Sequence, residues 1–145
     1  MLKIIKGLKP TVGEGISTYT DDEGHEYVRL KYGDEDFCIT AHDYVAKGRS
    51  RFEWDAAMMI MEDKGFTTFT KEQMRLYIIH HKEVNNVLEG VGGDVLGHHS
   101  RSWYWTLDEY DTNQSFCFLC FQESILDVEP GDKSNLFKIR PIINL

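Results

Sequence analysis

Cys117 and Cys120 are three residues apart, which is the C-x-x-C spacing typical of redox and metal-binding sites. They lie in the apolar run of residues 115–121, which predicts a buried β-strand. In a strand, residues three apart point to opposite faces, so without a bend the two sulfurs cannot bind one metal or each other. A third cysteine, Cys38, leaves an odd count, which argues against a disulfide framework and favours a reducing environment. We interpret all three as core cysteines.

Histidines provide the other candidates for chemistry. His80 and His81 are adjacent and therefore about 100° apart around a helix, so they do not present both imidazoles to one ion. His42 and Asp43 have the residue types of half an acid–base pair, but such a pair at a strand end is common without catalysis. The chain contains no nucleophile elbow, zinc-protease helix motif, P-loop or dinucleotide fingerprint. The residue types alone therefore indicate no particular reaction.

Length and charge limit the class of protein that must position these residues. The 145 residues, 41% hydrophobic and 12% aromatic, are enough for one domain spanning 1–145 with a substantial core. The net charge of −8 would repel a phosphate backbone, so we expect no nucleic-acid partner. No apolar run is long enough to span a membrane, and residues 1–10 lack the apolar stretch of a signal peptide. We expect a cytoplasmic protein or a component of an exported or phage particle.

Much of the acidity is concentrated between residues 21 and 36. The Asp22-Glu23-Gly24 and Tyr32-Gly33-Asp34 sequences predict two turns around a strand over 26–32, followed by a partner strand over 37–40. We interpret the cluster as solvated hairpin turns. A calcium site is the alternative, although the spacing matches no EF-hand loop. The seven acidic residues are Asp21, Asp22, Glu23, Glu26, Asp34, Glu35 and Asp36.

Two helices are predicted in the middle of the chain. Ser50 and Glu53 have the spacing of a capping box, which predicts a helix running to about Lys64 and ending at Gly65. Its apolar stripe consists of Trp54, Ala57, Met58 and Met61. Thr70 and Gln73 form a second box, which predicts the start of the second helix.

After the second helix, the pattern predicts a loop and then strands. Residues 85–102 lose helical periodicity and contain four glycines, which predicts a long irregular loop. Strands are predicted over 102–106, 115–121, 124–128 and 136–143, with a turn over 129–132. Helices in the middle and strands on both sides indicate an α+β fold.

Four short sequences in this order resemble the C-type-lectin-like domains of the uncharacterised bacterial and phage branch related to the formylglycine-generating enzyme. The resemblance covers residues 50–143 and implies two helices packed on antiparallel sheets, with the N- and C-terminal strands paired. Residues 2–5 and 138–143 are suitable partners for that pairing. The sequences are Trp54-Asp55-Ala56-Ala57, the Gly65 to Gln73 segment, Tyr104-Trp105-Thr106 and Ile139-Arg140-Pro141-Ile142.

The resemblance implies two different classes of function. Its enzyme branch implies a diverged metal-dependent oxidase of the formylglycine-generating type, which relies on cysteine, but neither Cys117 nor Cys120 falls in a matching motif. The sugar-binding sequences of calcium-dependent C-type lectins are missing as well. We therefore expect a non-catalytic recognition or assembly module, encoded by a phage or mobile element, with no cofactor and a protein or glycan as its partner. A purely structural subunit is a third interpretation.

We expect the binding surface around the aromatic strand. Alternation along residues 102–106 should bury one set of rings and expose the other next to polar groups, a mixture typical of recognition sites. The competing interpretation buries Trp103 and Trp105 and makes the rest a polar hairpin. The predicted binding residues are His98, His99, Arg101, Tyr104, Asp108, Glu109, Tyr110 and Asn113.

Overall fold

Ten elements follow one another along the chain in a computed structural model, which describes residues 14–98, 100–121, 124–125 and 127–145. The two helices are α1 (Trp54–Lys64) and α2 (Lys71–Gly90). The strands are β1 (Gly15–Thr20), β2 (Glu26–Tyr32), β3 (Glu35–Ile39), β4 (Ser102–Glu109), β5 (Gln114–Phe121), β6 (Ser124–Ile125), β7 (Glu129–Asp132) and β8 (Ile142–Asn144). The predicted α+β class is confirmed.

The strands form two antiparallel sheets. The first has the order β1-β2-β3-β8, so the C-terminal strand pairs with β3. In the second, β4 pairs with β5, and the other edge of β5 pairs with both β6 and β7. The predicted pairing of residues 2–5 lies outside the described residues. Strand β8 is at the edge of its sheet, which suits Pro141 immediately before it, since proline donates no ladder hydrogen bond.

The second sheet is covered on both faces. Tyr104 and Phe118 face the main core, which α2 and the first sheet complete. Trp105 and Cys117 face a smaller core beneath α1. Cys120 belongs to the main core, so the prediction that Cys117 and Cys120 lie on opposite faces is confirmed.

The start of α1 differs from the prediction. Glu53 is the N-cap residue and no side chain caps the helix, so the proposed Ser50–Glu53 capping box is wrong. The physical reason is long-range pairing: the Phe52 amide donates to Phe137 O at 2.8 Å, which holds this segment extended. The Trp54 amide donates to Lys133 O instead of to a cap. Gly65 ends α1 with φ at 81°, as predicted.

The second helix begins as predicted but extends further. Thr70 Oγ1 accepts from the Gln73 amide, and Gln73 Oε1 accepts from the Thr70 amide, so both bonds of the capping box are present. The helix kinks at His80, which stacks on Tyr32, and continues to Gly90. The predicted loop over 85–102 is therefore wrong for its first six residues, 85–90. Val84 and Leu88 are fully buried and anchor this last part of the helix.

Two further predictions near the C-terminus are wrong. Residues 129–132 form β7 on β5 rather than a turn, because Gly131 lets the strand approach the Cys117 side chain closely. Over 136–143 only the last two residues belong to a sheet strand, and Phe137 and Lys138 make isolated bridges. No helix among the described residues is long and apolar enough to cross a membrane.

Candidate binding groove

Apart from Tyr104, which lies within β4, the described members of the predicted binding set lie at opposite ends of that strand. His98 and Arg101 precede the strand, whereas Asp108, Glu109 and the following hairpin lie at its far end. At about 3.3 Å per residue, these two ends are roughly 20 Å apart. His99 lies outside the described residues. The structure therefore does not assemble one binding surface from the predicted set.

The far end of β4 mainly supports local structure. Asp108 Oδ2 accepts from the Lys71 amide at 2.7 Å, at the beginning of α2. Glu109 pairs with the Lys133 ammonium, and the Asn113 carbonyl accepts from the Lys133 amide. Tyr110 is 56% exposed, so it is the aromatic residue of this end that remains available to a ligand.

The expectation that Tyr104 is exposed is wrong. Its side chain is 1% exposed and stacks on Phe118, because both faces of the second sheet are covered. Its hydroxyl donates to Asp43 Oδ2 at 2.8 Å and accepts from the Gly97 amide at 3.1 Å. Burial, with the Asp43 charge as a smaller contribution, raises the pKa of Tyr104 far above its ordinary value. Tyr104 is thus part of a buried polar network.

Arg140 is the centre of this network and is fully buried. Its Nε donates to Asp43 Oδ1 at 2.9 Å, and its two terminal nitrogens donate to Thr40 O and Asp94 O. Lys138 Nζ lies 3.8 Å from the same carboxylate. A buried charge is tolerated only when it is paired and hydrogen-bonded, as Arg140 is here. The network joins the segment after β3, the loop after α2 and the C-terminal segment.

His42 and Asp43, considered together as an acid–base pair, have different partners. The His42 ring pairs with Asp94 at 2.9 Å, and hydrogen bonding to His42 lowers the pKa of the Asp94 carboxyl. Asp43 pairs with Arg140 instead. The structure therefore separates the two side chains rather than combining them.

A groove of about 1170 Å³ opens beside the network, between the β1–β2 turn and residues 40–45. Residues from three distant segments, Phe66, Val91 and Pro141, complete its wall. We call its carboxylates the acidic rim and its large apolar side chains the apolar lining. No Lys or Arg lines the groove among the described residues. The acidic rim is Asp21, Asp22, Glu23, Glu26 and Asp43, and the apolar lining is Tyr27, Tyr44, Val45, Phe66, Val91, Pro141 and Ile143.

Asp21 organises the turn that carries most of the acidic rim. Its Oδ1 accepts from the amides of Glu23 and His25, and its Oδ2 accepts from the Tyr27 hydroxyl at 2.8 Å. Gly24 supplies the left-handed conformation that the turn needs, with φ at 88°. Desolvation acts to raise the pKa of Asp21, but these hydrogen bonds outweigh it and lower the pKa to about 2. The rim therefore keeps this negative charge even in moderately acidic solution.

The acidic cluster predicted from the sequence is divided between the two ends of β2. Asp34, Glu35 and Asp36 lie at the opposite end from the groove, where Asp36 pairs with Arg29. Within the described ranges, no group of three or more His, Cys, Asp or Glu side chains has an arrangement that could hold a metal ion. The described hairpin carboxylates therefore do not form such a group for calcium.

The cysteine side chains occupy packing positions. All three are buried free thiols. Burial raises the pKa of Cys38 to about 11 and that of Cys117 to about 12, and Cys117 Sγ donates to Glu129 O. Such thiols are weakly nucleophilic because little thiolate is present near neutral pH.

Sequence reasoning missed the groove because its walls come from five separate segments. The acidic turn and Tyr27 were visible as a hairpin, but no local pattern places them beside Tyr44, Val91 and Pro141. The nearest sequence signal is the excess of carboxylates next to an aromatic strand residue.

Comparisons of the chain with protein-family models, with curated proteins and with solved structures find no match. The resemblance to C-type-lectin-like domains therefore stays a prediction.

Proposed function

We propose that this protein is a non-catalytic recognition module that binds a protein partner in the groove. The observation that carries the proposal is the combination of an apolar lining with an acidic rim and no lining Lys or Arg among the described residues. A segment that combines Lys or Arg with apolar side chains complements both features. Apolar contact provides binding free energy, and opposite charge directs association and selects the partner.

The buried network supports the same proposal. Asp43 and Thr40 line the groove and also hold Arg140, so this wall is fixed before a partner arrives. A preorganised wall lowers the entropy lost on binding. The adjoining Asp21 turn is likewise held by hydrogen bonds from Tyr27 and two backbone amides.

The proposal retains the C-type-lectin-like fold and a phage or mobile-element origin. The structural positions of the resembling sequences support the fold part of this proposal. Trp54 begins α1, Thr70 caps α2, Tyr104 lies in β4, and Arg140 is the centre of the buried network. The oxidase alternative gains no support, because Cys117 and Cys120 pack in different cores.

A displayed library of random 12-residue peptides tests the proposed partner chemistry. We expect enriched peptides to combine Lys or Arg with apolar residues and to bind in fluorescence anisotropy with a Kd that rises with salt. Enrichment of acidic or uncharged peptides, or no enrichment, would refute the proposal.

Two matched variants locate the binding. Val45 is 58% exposed in the groove, so Val45→Lys removes an apolar contact and adds a repelling cation without disturbing the core. Ile79 is 70% exposed on α2 away from the groove, and Ile79→Lys is the control with the same change in charge. We expect Val45→Lys to weaken the selected peptides by about tenfold or more, which corresponds to about 1.4 kcal/mol. Equal weakening by both variants would show that binding is only a response to net charge.

A further inference from the structure

A second cleft lies away from the groove, at the C-terminal half of α2. It has a volume of about 770 Å³, within the range of small-ligand sites. Four polar residues of α2 line one side at positions i, i+3, i+4 and i+7, so they share one face of the helix. Phe121, at the end of β5, and His98 also line the cleft. The four helix residues are Lys82, Asn85, Asn86 and Glu89.

Asn85 shows that this polar face is a built feature rather than ordinary helix surface. It is only 8% exposed, yet it lines the cleft. The hydroxyl of fully buried Tyr77 donates to its Oδ1 at 2.9 Å, which fixes the orientation of the amide. Because Oδ1 is the acceptor in this bond, the amide nitrogen is the donor group that Asn85 can offer to a ligand.

The chemistry of the lining points to a neutral polar ligand. Lys82 and Glu89 have opposite charges, so the helix face does not select strongly for an anion or a cation. The amides of Asn85 and Asn86 provide both donors and acceptors, which suit neighbouring hydroxyl groups. Phe121 is 40% exposed, so its ring is available to the apolar face of a ligand.

We propose that this cleft is a saccharide-binding site. A pyranose presents hydroxyl groups around its edge and C–H groups on its faces. It can therefore hydrogen-bond to the α2 amides and carboxylate while one face packs on Phe121. The site needs no metal ion and is separate from the groove, so it is independent of the proposed protein partner.

Saturation-transfer NMR with a panel of free sugars tests this proposal. The panel contains glucose, galactose, mannose, fucose, N-acetylglucosamine, N-acetylgalactosamine, maltose and lactose. We expect at least one sugar to bind the intact chain with a Kd of about 1 mM or lower. If none binds, the proposal is wrong.

Two pairs of variants place the bound sugar. Asn86→Ala and Phe121→Ala remove an exposed amide and an exposed ring from the cleft, and each should weaken binding about tenfold. Asn113→Ala and Tyr110→Ala remove the same kinds of group at the far end of the β4–β5 hairpin and should leave the Kd unchanged. Retained binding in both cleft variants, or weakening confined to the hairpin variants, would overturn the assignment. Val45→Lys should not affect sugar binding, so failure of this proposal is distinguishable from failure of the groove.

Discussion

Removing Asp43 should be one of the most destabilising single changes in this protein. In Asp43→Ala, the fully buried Arg140 loses its carboxylate partner and keeps its hydrogen bonds to the carbonyls of Thr40 and Asp94. Breaking a buried ion pair from one side costs about 3–5 kcal/mol. The Tyr104 hydroxyl also loses its acceptor, which places the expected cost at about 5 kcal/mol.

Removing the other partner should cost less. In Arg140→Met, Asp43 keeps the Tyr104 hydroxyl as a donor and has Lys138 3.8 Å away, and its side chain is 20% exposed. The remaining carboxylate is therefore partly solvated and still hydrogen-bonded. We expect a cost of about 3 kcal/mol, at the lower end of the range for a broken buried pair.

The assay is urea unfolding followed by circular dichroism, with free energies from linear extrapolation. A loss of about 5 kcal/mol should also lower Tm by roughly 10–20 °C for a chain of this size. In the double variant, neither charge is left without its partner. Its cost should therefore be at least about 1.5 kcal/mol less than the sum of the single costs. The reasoning is refuted if Asp43→Ala costs less than Arg140→Met, or if the two costs add.

Three further predictions concern packing, capping and pH. In Gly131→Ala, the new Cβ lies 2.8 Å from Cys117 Sγ, so the free energy of unfolding in urea should fall by about 1–3 kcal/mol. When the same substitution is made in a Cys117→Ala variant, most of this loss should be absent. In Thr70→Ala, the capping box is lost, and the free energy of unfolding should fall by about 1 kcal/mol. Thr20→Ala in β1 is the control for a threonine away from a helix cap. Because the pKa of Asp21 is lowered from 3.8 to about 2, its contribution to stability is present above pH 3.8 and lost as the pH falls through about 2. Asp21→Asn should flatten the acid-unfolding curve between these values, and an unchanged curve would contradict the assigned hydrogen bonds.

Features governed by neighbouring residues could be predicted from the sequence. The Thr70 capping box and the Gly65 helix end involve groups within one helical turn, and both are present. Ser50 and Glu53 have the same local spacing, but Phe52 pairs with Phe137 and keeps that segment extended. The two predicted capping boxes thus differ because of a contact between residues 85 positions apart, which no local sequence pattern predicts.

The same limit applies to the binding surfaces. The aromatic strand was correctly placed in the chain, but its exposed face depended on whether α1 and α2 cover both sides of the second sheet. Tyr104 is buried because they do. The sequence does not identify Arg140 as a core residue, since a lone arginine in an apolar segment normally predicts an exposed position. Its burial requires Asp43, which is 97 residues away.

The groove lies between the first sheet and the smaller core beneath α1. Tyr44 and Phe66 pack against the smaller core, whereas Tyr27 and Ile143 belong to strands β2 and β8 of the first sheet. Regions with fewer buried apolar contacts open locally at a lower free energy than the main core does. A partner seated in the groove contacts both sides and therefore opposes their separation. Binding in the groove would therefore slow the hydrogen exchange of the α1 amides. The smaller core and the first sheet would then open together rather than separately.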